Sequence, residues 1–153
     1  MIPNFKIVIP GKVYRSGQPY LPSHWQALKD LGVKTVLKLN YATEGSDDGA
    51  DTVGISLYCA SMGPQSVWGA VLGPPDEWQI RTAVSLLTNE DLWPMLVHCT
   101  HGQDRTGLIV AMFRVVKQAW STEAARNEAL ENGFHPELID LDRAWWKFCE
   151  TPR

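Results

Sequence analysis

The chain has 153 residues, 44% of them hydrophobic, and a formal net charge of −3. That length and apolar content suit one domain around a single core and exclude a disordered or collagen-like chain. Slight acidity argues against a broad nucleic-acid footprint, and the lack of a long apolar run argues against a membrane span.

From the N-terminus, Val13-Tyr14-Arg15 reads as a short strand that ends in a Ser-Gly-Gln-Pro turn. Trp25, Leu28 and Leu31 share one face and predict a helix over 23–31, stopped by Gly32. The β-branched run 35–39 is a strand, the polar, acidic run 40–54 is a surface loop, and 55–59 is another strand. Residues 61–75 carry Gly and Pro without periodicity and are long for a connection, which suits a lid or binding segment. Pro74-Pro75-Asp76-Glu77 opens a helix whose apolar stripe is Ile80, Ala83, Val84 and Leu87. Met95-Leu96-Val97 is a strand, and Leu108, Ile109, Ala111, Met112 and Val115 mark the helix beyond it. Ser121 caps a helix over 122–132 that stops at Gly133, and Pro136 opens a last helix carrying Leu138, Leu141, Trp145 and Phe148. Strands that alternate with helices, followed by helices alone, predict an α/β fold. It is a small central mixed sheet of about four to five strands flanked by helices, in one domain over 1–153. The seven tryptophans are expected mostly in the core or a pocket wall.

Between the strand and helix near residue 100 lies His98-Cys99-Thr100-His101-Gly102-Gln103-Asp104-Arg105-Thr106-Gly107. A thiol at the entrance of a tight loop, a helix N-terminus at its exit and an arginine there form an anion site. Backbone N–H groups and the helix dipole attract negative charge, and the same field favours the thiolate. The arginine offers forked donors to two phosphate oxygens. Cys99 is thus a candidate nucleophile and Arg105 a phosphate clamp. Thr100, His101, Gly102, Gln103 and Asp104 would contribute backbone amides. His98, Cys99 and His101 place three possible zinc ligands within four residues, but no second cluster supplies a fourth, so neither metal nor cofactor is expected. The cysteines Cys59, Cys99 and Cys149 are scattered and odd in number, which is no secreted disulfide framework. With no N-terminal signal pattern, a cytoplasmic monomer is expected.

The loop resembles the signature of the protein tyrosine phosphatase superfamily, and Tyr14-Arg15-Ser16-Gly17-Gln18-Pro19 resembles the opening of small dual-specificity-like phosphatases. The resemblance implies a dual-specificity phosphatase-like fold and hydrolysis of phosphomonoesters through a phosphocysteine. It also implies that Thr106 bonds the Cys99 sulfur and that His98 tunes Cys99. Arg15 would buttress the loop, though a surface ion pair fits it as well. An oxidised Cys59–Cys99 disulfide is one option for Cys59, with core packing the other. Relatives place an acidic aspartate on a loop upstream of the cysteine, where this chain reads Ser66-Val67-Trp68-Gly69-Ala70-Val71-Leu72, without a carboxylate. Asp104 and Asp76 are the two substitutes. The Asp-Arg-Thr loop tilts the substrate toward inositol phosphates or phosphoinositides, with phosphotyrosine in proteins as competitor. The missing upstream aspartate leaves a second class open, a phosphate-binding module without turnover.

Overall fold

The computed structural model describes residues 1–63 and 75–152. Most of the 61–75 segment expected to act as a lid, including the 66–72 stretch, lies outside them. Five strands form one sheet: β1 (Lys6–Ile9), β2 (Val13–Ser16), β3 (Thr35–Lys38), β4 (Ser56–Cys59) and β5 (Met95–His98). Their order is β1-β2-β5-β3-β4, and only β1 runs antiparallel to its neighbour. The helices are α1 (Pro22–Asp30), α2 (Asp48–Thr52), α3 (Glu77–Thr88), α4 (Arg105–Gln118), α5 (Thr122–Glu131) and α6 (Ile139–Glu150). The edge strand β1 was not read from the sequence, and the last helix begins three residues after Pro136.

The central strands are buried on both faces, as parallel strands between helices must be. Alternation sorts their side chains. Met95 and Val97 of β5 join Val13 and Leu37 against Leu87 of α3 and Leu108, Met112 and Phe113 of α4. Leu96, Tyr14 and Val36 point the other way, onto Trp25 and Leu28 of α1 and Ala50 of α2. The predicted stripe of α3 holds, with Ile80, Ala83 and Leu87 buried. Ser121 caps α5, its hydroxyl accepting the Ala124 N–H at 3.1 Å. Arg114 on α4 ties three elements together, donating to both Glu128 carboxylate oxygens at 3.0 Å and to the Val8 carbonyl at 3.1 Å.

Of the six tryptophans among the described residues, Trp25 and Trp145 are buried and Trp93 and Trp120 pack against the core, as expected, while Trp78 and Trp146 are exposed. One expectation is corrected. The 40–54 stretch is not a solvated surface loop. It contains a single 3-10 turn at Ala42–Glu44 and then α2, and Asn40, Asp47 and Ala50 are buried. No helix among the described residues is long and apolar enough to cross a membrane.

Register places Ser16, Lys38 and His98 level at the carboxyl ends of β2, β3 and β5. Strand order reverses about β5, since β2 lies on one side of it and β3 on the other. A crevice opens at such a switch point, and the 99–104 loop begins there.

Candidate active site

Cys99 leaves the last turn of β5 almost fully buried, and its Sγ accepts the Thr106 Oγ1–H bond at 3.0 Å. Among the described residues, none of the backbone N–H groups of 100–105 is donated to a protein acceptor. Six such amides ahead of a 14-residue helix make a nest for an oxyanion.

The turn at Gly102 shapes that nest. Its φ is +73°, a region side chains disfavour, and a Cβ there would lie 2.5 Å from the Gly17 nitrogen. Gly17 answers from the other side, where a Cβ would meet the Thr100 carbonyl at 2.9 Å. The Ser-Gly-Gln-Pro turn is therefore pressed backbone to backbone on the loop, and the Gln18 N–H bonds the Thr100 carbonyl at 3.0 Å. Arg15 reaches from β2 to the Gly102 carbonyl, its Nη2 donating at 3.1 Å. At 2% exposure it is no surface residue, so the ion-pair alternative is excluded.

Arg105 is held by a residue the sequence reading passed over. Nη1 donates to Glu44 Oε2 at 2.8 Å and to the Met62 carbonyl at 3.0 Å. Nη2 donates to Glu44 Oε1 at 2.6 Å and to Thr100 Oγ1 at 3.2 Å. All four terminal hydrogens are thus committed, which fixes the plane of the guanidinium and leaves Nε–H as its remaining donor among the described residues. Burial pushes the Glu44 carboxyl up, but Arg105, the Tyr41 N–H and the Thr100 hydroxyl outweigh it and hold it at about 2.

Beneath the loop lies a second unread group. The Asp47 carboxylate accepts from Lys38 Nζ at 2.8 Å and Gln18 Nε2 at 2.7 Å, and pairs with His98 Nε2 at 2.6 Å. His98 turns its Nδ1 toward the Cys99 carbonyl at 3.2 Å. Burial raises the Asp47 carboxyl, yet His98, Lys38 and Gln18 bring it below the ordinary aspartate range. One signal for this group was present. A lysine within the apolar run 35–39 of a central strand requires a buried partner.

The two candidate acids are not equivalent to each other or to a free carboxyl. Asp104 turns both oxygens onto His135: Oδ1 takes the His135 backbone N–H at 2.7 Å and Nδ1 at 2.9 Å, and Oδ2 lies 3.2 Å from Nδ1. Asp76 is the exposed N-cap of α3, where its N–H bonds Gln79 Oε1 at 2.8 Å. Nothing joins Asp76 to the loop among the described residues. Cys59 is also removed from Cys99. Lys38 pairs with both Cys59 and His98, so Cys59 stands two strand spacings from β5, ~9–10 Å. A disulfide needs Cα atoms within ~7 Å, so a Cys59–Cys99 bridge requires the backbone to move.

A buried thiol at a switch-point loop, amides without an acceptor among the described residues and a fixed arginine define a cysteine-loop α/β protein whose loop is suited to an oxyanion. The sequence pattern of the tyrosine phosphatase family matches residues 1–133, and the chain belongs to that family. It is 50% identical over 44 residues to the dual specificity protein phosphatase TpbA of Pseudomonas aeruginosa, covering 29% of this chain and 20% of that protein. It is 30% identical over 127 residues to the inositol diphosphatase DSP4 of Arabidopsis thaliana, covering 82% of this chain and 61% of the relative. The chain thus spans only part of these relatives. Among solved structures it resembles P. aeruginosa TpbA, with a TM-score of 0.74, 27% identity and coverage of 95% and 84% of the two chains. The core catalytic domain of the PP-IP phosphatase SIW14 from S. cerevisiae gives a TM-score of 0.70 at 25% identity, with 88% and 79% covered.

Proposed function

We propose that the chain hydrolyses phosphomonoesters through a phosphocysteine formed on Cys99. The observation that carries this reading is the Cys99 sulfur, bonded to Thr106, at the mouth of a loop whose amides have no protein acceptor among the described residues. The substrate phosphoryl group sits in the amide nest of Thr100, His101, Gly102, Gln103 and Asp104, with Arg105 Nε–H on its flank. The thiolate attacks phosphorus, the P–O bond to the leaving group breaks, and the thiophosphate is then hydrolysed by water. The Thr106 hydroxyl stabilises the sulfur as it departs in the second step. His98 and Arg15 act through others, by orienting the Cys99 carbonyl and the Gly102 carbonyl. Asp76 is committed to the α3 terminus, and we assign it no role in catalysis.

Inositol phosphates or phosphoinositides are the favoured substrates, supported by the plant relative named an inositol diphosphatase and by the Asp-Arg-Thr loop. Phosphotyrosine is the second reading, favoured by the short but close match to a dual specificity phosphatase. A phosphate-release panel of inositol polyphosphates, phosphoinositides and phosphotyrosine peptides tests both, with Cys99→Ser as control. Release from inositol substrates at a kcat/KM at least tenfold above phosphopeptides supports the first reading, and the reverse order supports the second. Phosphate binding without release from any substrate would make the chain a binding module instead.

A further inference from the structure

We propose that His135 is the general acid of this site, with Asp104 as its fixed anionic partner; the role rests on the phosphatase reading above. A carboxylate only accepts hydrogen bonds, so the contacts to Asp104 require that His135 Nδ1 carry a hydrogen in either charge state. The proton that comes and goes is then the one on Nε2. That nitrogen has no protein partner among the described residues, and the side chain is 50% exposed. A histidine held through Nδ1 by a carboxylate, with Nε2 free, is built to give up and take back a proton.

The segment that carries His135 is firmly seated on the loop. Gly133 packs so closely on Gln103 that a Cβ would lie 2.7 Å from its Nε2, and the buried Phe134 packs against Gly107. His135 is thereby fixed against the side chain of Asp104, the loop residue that precedes Arg105. The match to the family pattern ends at residue 133, so His135 lies outside it. The groups facing the imidazole are Asp104 from the loop and Glu137 from its own segment. Asp104 foremost, and Glu137 less, raise the pKa of His135 above the ordinary histidine value, which favours the imidazolium.

The steps balance as follows. The Cys99 thiolate forms the S–P bond while the P–O bond to the leaving group breaks, and His135 Nε2 gives its proton to the departing oxygen. A water then attacks phosphorus, its proton passes to the neutral Nε2, the S–P bond breaks and sulfur leaves as thiolate. Asp104 stays a carboxylate throughout.

The test compares 4-nitrophenyl phosphate, a good leaving group that needs little protonation, with phenyl phosphate, a poor one on the same ring. His135→Asn keeps a side-chain N–H for Asp104 but cannot deliver a proton, so it separates the acid role from loop support. Its kcat/KM for phenyl phosphate is expected to fall about 10²-fold or more, with that for 4-nitrophenyl phosphate within about tenfold of wild type. The alkaline limb of the phenyl phosphate pH profile should vanish in His135→Asn and move to lower pH in Asp104→Asn, which loses the anion. The ratio of the two substrates within one variant cancels any loss of folded protein. Equal losses on both substrates, or an alkaline limb untouched by His135→Asn, would overturn the assignment while leaving the phosphatase intact. If wild type releases no phosphate from either compound or from any member of the substrate panel above, the phosphatase reading fails and this role fails with it.

Discussion

Glu44→Gln isolates the anchor of Arg105. The Glu44 carboxyl stands at about 2 instead of its usual 4.5. At ~1.4 kcal/mol per pH unit that difference is worth about 3 kcal/mol of folding free energy. Because the folded value is the lower one, this stability is fully present above about pH 5 and is lost as pH falls toward 2. The side chain is only 15% exposed, so solvent screening removes little of it. Glutamine offers one oxygen and one N–H pair to a guanidinium that needs two acceptors, so it should cost about 3 kcal/mol at pH 7 by urea unfolding. The gap to wild type should narrow to about 1 kcal/mol near pH 3. With its plane no longer fixed, Arg105 should also misdirect Nε–H and lower kcat/KM about 10²-fold. Equal urea midpoints at pH 7, or a gap that does not shrink on acidification, would refute the reasoning.

Asp47→Asn leaves the buried Lys38 ammonium without its counter-charge and should cost about 3–5 kcal/mol by urea unfolding at pH 7; a loss below about 1 kcal/mol would mean that the neutral Gln18 and Gly45 oxygens suffice for it. Gly102→Ala forces a side chain into a left-handed turn against the Gly17 backbone, and should cost more than about 2 kcal/mol together with phosphate binding, measured by calorimetry. Thr106→Val keeps the shape but removes the hydrogen bond to sulfur. It should slow breakdown of the thiophosphate more than its formation, so that rapid-quench kinetics show a larger burst of phosphoenzyme than in wild type.

The parts of the site that were legible in the sequence are those whose chemistry is local. Cys99, Gly102, Arg105 and Thr106 share one strand–loop–helix unit, and their spacing alone places them together. Arg15 was legible through its motif as a buttress of the loop, but the press of Gly17 on Gly102 was not, because it joins segments far apart in the sequence. Glu44 and Asp47 were missed because an acidic, glycine-containing stretch has the composition of solvated surface, and only the folded register brings it under the loop. His135 carries no sequence signal at all. Its meaning depends on α5 and the turn after it lying across the loop, a matter of helix packing. β1 escaped notice because four residues on an edge carry too little periodicity to stand out.

The interlock of Gly17 with Gly102 has a consequence for assembly. Arg15 and Gly102 stand 87 positions apart, so the cradle cannot take shape until β2 has docked beside β5. Capture of an oxyanion is therefore a report on completed tertiary structure. Any ligand that fits the cradle should raise the melting temperature in step with the logarithm of its concentration, and partly folded chains should gain nothing from it.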